Sequence, residues 1–286
     1  MVRRALFVLI LLLCYGIAFG GAEAAGPLDD DDPPIYALTT AQVPPSQSTA
    51  YEFLGSGFSE NVLDGSVTVT GVKRYGYETI IVAIADASTN VLLSGVTSVT
   101  WGATALSEIQ SGAFQGSVHP PYSQVSIYQL ESSPGNPNAQ SAAQSITVTW
   151  GGAVKPVNKA VMVVGIRNTD VPSFDFCDSP VARSATLVSG TTSSSTAVNN
   201  EMALGVLFRL GPSSDEDVND WGVFTAGNRV GTNSGLTSGG LSLDVNIDTA
   251  WWVDDAGSGS PINFSWSWGT TVRDCVSDIA AFKPYP

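Results

Sequence analysis

The chain has 286 residues, is 43% hydrophobic and carries a formal net charge of −14. That apolar content excludes wholesale disorder, and the acidity disfavours nucleic acid or anionic lipid as partners, because both attract basic patches. Charged residues are only 13% of the chain, about half of the ~25% usual in soluble domains, so Ser, Thr, Asn and Gly must supply the polar surface.

Residues 1–24 read as a signal peptide. Arg3-Arg4 precede an apolar run from Ala5 to Ala18, and Ala22-Glu23-Ala24 form an A-x-A cleavage site. The expectation is a secreted or surface-displayed protein in an oxidising compartment. No later segment reaches the ~20 apolar residues of a spanning helix, so the mature chain is expected not to insert into a membrane. Residues 25–50 read as an acidic, proline-rich linker: Asp29 to Asp32 run into Pro33-Pro34, and Pro44-Pro45 follow.

From Tyr51 onward, short runs of Val, Ile, Thr and Trp recur between Gly, Pro, Asn and Ser clusters, which is the signature of strands. Val67 and Val69 alternate with polar neighbours. Thr79 to Ala85 is nearly all apolar, as a strand buried on both faces would be. Val96–Trp101, Val125–Leu130 and Ile146–Trp150 alternate. Ala160–Ile166 and Met202–Phe208 again read as buried. Leu241–Ile247 and Ile262–Trp268 alternate, and Asp278–Phe282 ends apolar. Helical periodicity is absent after the signal. Ten to thirteen strands predict an all-β fold, a two-sheet β-sandwich forming a single domain over 51–286. The echo of SVTWGATA (98–105) in ITVTWGGA (146–153) reads either as a duplicated motif or as a shared preference at strand ends.

The ordered series TIIVAIA, VTSVTWGATALSEI, VSIYQL, SITVTW, AVMVVGIRNTDVP and SDIAAFKP resembles a widespread, poorly characterised family. Its members are secreted bacterial and phage-associated β-sandwich domains with jelly-roll-like topology. The resemblance spans residues 62–284. It implies a jelly-roll-like sandwich in an extracellular, surface or appendage protein, and it brings no catalytic residues with it.

The motifs of common enzymes are missing: there is no G-x-S-x-G, no H-E-x-x-H and no P-loop, and His119 is the only histidine. Glycoside hydrolysis needs only two carboxylates about 5–9.5 Å apart, yet the closely spaced strand-borne acids of concanavalin-like hydrolases are not present. Asp215, Asp217 and Asn219, with Asp220, have the alternating spacing by which a loop offers oxygens to calcium. The other reading of that stretch is a solvated acidic loop. Adjacent Trp251 and Trp252 must point to opposite faces of a strand, so one of them, beside Asp254 and Asp255, is a candidate sugar-stacking platform. Phe264, Trp266 and Trp268 share one face, read as core or as a second such platform. Cys177 and Cys275 most simply form one disulfide in an oxidising compartment; a reactive or metal-binding thiol is the other reading.

These observations predict a secreted, non-catalytic β-sandwich protein with a structural or adhesive role at a cell surface or in an extracellular assembly, partnered by glycans, by other surface proteins or by itself. The alternatives are a carbohydrate-binding module and, third, a glycan-active enzyme. Apart from calcium, no cofactor is expected.

Overall fold

The computed structural model describes residues 50–73, 79–88, 95–115, 122–131, 142–167, 169–178, 185–211, 217–218, 225–232, 234, 237–238, 241–253, 259–268 and 272–284. The signal peptide and all but the last residue of the expected linker lie outside them; Ala50 already opens the first strand. The described chain is entirely β and irregular structure, as expected, and its sheets are antiparallel.

Its first half contains β1 (Ala50–Ser59), β2 (Ser66–Val72), β3 (Thr79–Ser88), β4 (Val96–Trp101), β5 (Thr104–Ala105), β6 (Ser107–Gln115), β7 (Tyr122–Glu131), β8 (Gln144–Trp150) and β9 (Asn158–Arg167). They form two sheets, ordered β1-β9-β3-β7-β6 and β2-β8-β4-β5. With β6 set aside as an added edge strand, the eight remaining strands have the order of a jelly roll, two interlocked Greek keys. The alternation of β2 and β8 explains the packing: Val67, Val69, Ile146, Val148 and Trp150 point inward onto Ile80, Val82, Ile84, Val161 and Val163. Serine and threonine cover the outer face. Gly57 lets β1 lie close over β2, since a Cβ there would sit 2.9 Å from Val67 Cγ1.

The second half repeats the plan. It contains β10 (Thr169–Asp178), β11 (Leu187–Ser195), β12 (Met202–Leu210), β13 (Asp217–Val218), β14 (Thr225–Gly231), the short pair β15 (Thr237–Ser238) and β16 (Leu241–Ser242), β17 (Val245–Val253), β18 (Pro261–Trp268) and β19 (Cys275–Pro284). Its sheets are β10-β19-β12-β17-β14 and β11-β18-β13. Strand for strand this is the first roll again, with β14 beyond β17 as β6 lies beyond β7. One strand position of the small sheet has no counterpart among the described residues.

The two five-stranded sheets face each other. Ile81, Ala83, Ala85, Met162, Val164, Val125 and Ile127 from the first roll pack on Leu204, Val206, Phe208, Ile247, Val276, Ala280 and Phe282 from the second. The result is a stack of four sheets rather than two, with three apolar seams. It explains why β3, β9 and β12 are apolar on both faces: one face lines its own roll and the other lines the seam between rolls. Each Val, Leu, Ile, Phe or Met among them contributes about 1.5–3 kcal/mol on full burial. The rims of the seam are polar. Tyr51 Oη donates to Asn228 Oδ1 at 3.1 Å, Glu131 accepts the Phe174 N–H at 3.0 Å, and Asn158 Nδ2 donates to Leu243 O at 2.8 Å and Asp244 Oδ1 at 3.2 Å.

Two further sequence expectations change. The run Leu241–Ile247 is not one strand: it breaks at Leu243 and Asp244, because buried Asp244 turns to accept the Ser234 N–H (2.8 Å) and hydroxyl (2.6 Å). Cys177 and Cys275 are not joined by a disulfide. Cys177 lies opposite Ala280 on β19, five residues from Cys275. At ~3.3 Å per residue that is about 16 Å along the strand, far beyond the ~7 Å limit for Cα atoms of a disulfide. The two also occupy opposite faces, Cys177 against the seam between rolls and Cys275 inside the second roll.

Candidate functional site: a polar cavity inside the first roll

The inward face of the first roll's large sheet changes character across its width. Register places Val163, Val82, Tyr128 and Glu108 in one row, and Val161, Ile84, Ser126 and Ser111 in the next. Lys159, Asp86 and Gln124 form the third. The rows are apolar toward β9 and polar toward β7 and β6. Glu108 and Ser111 are an odd number of residues apart, so a regular strand would send them to opposite faces. A bulge between Glu108 and Gln110 brings both to the inner side. Above this corner the small sheet has dwindled to the two-residue β5.

The corner is a cavity of about 330 Å³ lined by Asp86, Gly95, Val96, Glu108, Ser111, Gln124, Val125, Ser126 and Tyr128. Its volume falls at the lower end of the range for small-molecule pockets, roughly 300–1,000 Å³. Asp86 is 1% exposed. Its Oδ2 accepts the Trp150 Nε1–H at 2.6 Å, while Oδ1 accepts no hydrogen bond from any described side chain. Burial pushes the carboxyl up to about 7; the Trp150 donor, the Gln124 backbone and the Lys159 charge oppose that rise only partly. Tyr128 Oη donates to Glu108 Oε2 at 2.8 Å, and burial followed by that carboxylate raises the phenol well above its ordinary value. Lys159 turns away: its Nζ donates to Asn61 O at 2.9 Å, and burial lowers its pKa despite the pull of Asp64 and Asp86. Chemically, the cavity offers carboxyl, hydroxyl and amide groups side by side, the set that grips a ligand carrying several donors and acceptors.

The residues singled out in the sequence lie elsewhere. Trp251 and Trp252 do point to opposite faces, and both are half-buried. Trp251 stacks on Tyr51 at 6.3 Å and 9° at the rim between rolls, and Trp252 packs on the second roll's interior. Phe264 and Trp266 are core, with Trp266 Nε1 donating to Ser277 Oγ at 2.9 Å. Asp254 and Asp255 lie outside the described residues, as do Asp215, Asn219, Asp220 and His119. Of Asp217 only the backbone is described, paired with Trp268 in β13 and β18. Among the described residues no group of three His, Cys, Asp or Glu side chains is placed to hold a metal. The sequence reading passed over Asp86, Glu108, Gln124, Ser126 and Tyr128. A usable signal was there: Asp86 is the lone charge in the apolar strand TIIVAIADAS.

Comparison with models of protein families, with curated proteins and with solved structures gives no match for this chain.

Proposed function

We propose that this is an exported, non-catalytic adhesive protein, and that it attaches by holding a small hydroxyl-rich ligand, a glycan terminus, in the cavity of its first roll. One observation carries the reading: Asp86 is buried in the cavity wall with an oxygen that no described side chain serves, its carboxyl met only by the Trp150 N–H and the Gln124 backbone. Gln124, Ser126, Ser111 and Tyr128 add the donors and acceptors that polyols recognise. Export rests on the N-terminal signal pattern, and the continuous apolar seam between the two rolls suits a load-bearing attachment protein.

The test is glycan-array binding by the full chain, followed by calorimetry on any hit. Ser126→Leu, which fills the cavity from β7, is expected to abolish binding, whereas Trp251→Ala at the rim leaves it intact. A folded protein that binds no glycan, or a Ser126→Leu variant that binds as before, overturns the reading. Loss on Trp251→Ala alone moves the site to the tryptophan pair.

A further inference from the structure

We propose that the ligand of this cavity carries an ammonium group, so that among sugars it selects an amino sugar with an unblocked amine. The inference rests on the glycan reading and narrows it. Two carboxyl groups, Asp86 and Glu108, line the cavity, and the remaining polar lining is neutral: Ser111, Gln124, Ser126 and Tyr128. None of the described lining residues is Lys or Arg. Lys159, the cation nearest Asp86 in the register, is committed elsewhere, donating to Asn61 O and lying 5.9 Å from the Trp150 ring centroid.

The second roll shows what completes such a corner. There the added strand β14 brings Arg229, whose Nε donates to Asp248 Oδ1 at 2.5 Å on the inward face beside Leu207. The corresponding added strand in the first roll is β6, and it offers Glu108 and Ser111 instead of a cation. The second roll thus pairs Asp248 with a cation from its own added strand, and the first presents carboxyls to whatever enters. An ammonium group is compact, has three donors and no acceptor, and forms charge-assisted hydrogen bonds roughly twice as strong as those of a neutral hydroxyl. It can bond the Glu108 carboxylate beside the buried Asp86 carboxyl, leaving the sugar hydroxyls to Ser126, Ser111 and Gln124.

A proton balance accompanies binding. The groups that face Asp86 are the Trp150 N–H from β8, the Gln124 backbone from β7 and the Lys159 charge from β9; Glu108 on β6 shares the cavity, and Gly95 and Val96 add no charge. At pH 6 the Asp86 carboxyl is mostly protonated, so an arriving ammonium displaces that proton to solvent.

The experiment is titration calorimetry on the full chain at pH 6 with D-glucosamine, N-acetyl-D-glucosamine, D-glucose and ethylamine, in two buffers of different ionisation enthalpy. Glucosamine is expected to bind about tenfold or more tighter than either other sugar and to release a proton. Asp86→Asn keeps an acceptor for Trp150 Nε1 and is expected to abolish the proton release. Glu108→Gln is expected to weaken glucosamine about tenfold without affecting the release. If acetylated or neutral sugar binds as well as glucosamine, the ammonium inference falls and the glycan reading survives. If ethylamine binds and no sugar does, the glycan reading falls while the ammonium site stands. If nothing binds to the folded chain, both fall.

Discussion

The two rolls share a strand order and differ in how they treat the polar end of their interior. In both, a tryptophan of the small sheet donates its indole N–H across the core, Trp150 to the Asp86 carboxyl and Trp266 to the Ser277 hydroxyl. In the second roll Arg229 meets Asp248, Asn246 Nδ2 donates to Gly211 O, and Arg209 lies opposite Cys275 beside Asp274, although Asn246 Oδ1 is, like Asp86 Oδ1, a buried acceptor that no described side chain serves. In the first, Asp86 keeps an oxygen that no described side chain serves, and a cavity opens over it. One strand order thus carries different polar groups at the corresponding corners of the two rolls.

The comparison depends on the rolls being fused, so the largest predicted effect is at their shared seam. Phe208 is wholly buried there, and Phe208→Ala should cost about 3–5 kcal/mol. Chemical denaturation followed by near-ultraviolet and far-ultraviolet signals together should show one lowered, coincident transition. Two separated transitions, with only one shifted, would mean that the rolls fold independently.

The next effect separates the rolls by pH. The folded pKa of Asp86 is raised to about 7 from 3.8, so its neutral form favours the fold. That contribution is complete below about pH 4, is lost as pH rises toward 7, and stays lost above. The ceiling is about 4 kcal/mol for a rise of roughly three pKa units. Asp86→Asn keeps the Trp150 acceptor and removes the titration, so its advantage over the natural chain should grow between pH 4 and 7 in urea melts. A constant difference across that range would show that Asp86 does not titrate there. In the second roll the sign reverses: Arg229→Met leaves Asp248 buried without this cation and should destabilise at neutral pH. With Arg229 32% exposed, the expected cost is about 2–3 kcal/mol, at or below the usual range for breaking a buried pair.

Strand positions were legible because burial leaves a two-residue rhythm: SVTVTG and ITVTW show their inward valines and outward hydroxyls directly. Strands buried on both faces were legible too, as unbroken apolar runs. Their number was the unread clue, since TIIVAIADAS, AVMVVGI and MALGVLF together exceed what a two-layer sandwich requires. The edge strand β11, LVSGTTSSS, escaped notice because one buried valine and small hydroxyl residues give almost no contrast. The VTWG echo proved to be two neighbouring strands of one sheet, β4 and β8, whereas the repetition seen in the structure is one of strand order and not of sequence. The cavity was hidden for a related reason. Its residues come from β3, β4, β6 and β7, and a bulge that no local motif announces brings Glu108 and Ser111 to one side.

The smallest predicted effect is none, and it tests the register of the second roll. Because Cys177 and Cys275 face opposite seams, a reductant has no bond to break, and the melting temperature should be the same with and without it. The thiols should differ in reactivity. Burial, reinforced by the Asp274 charge and opposed by Arg209, pushes Cys275 up to about 12, which suppresses the thiolate that alkylating reagents attack. Cys177 is only half-buried. Peptide mass analysis after alkylation of the folded chain should therefore find Cys177 modified well before Cys275. A melting temperature that falls by several degrees on reduction would require β10 to slide about five residues along β19. That slide would carry Phe174 away from Phe282, now stacked edge-on at 6.2 Å, and would open the seam on which the pairing of the two rolls depends.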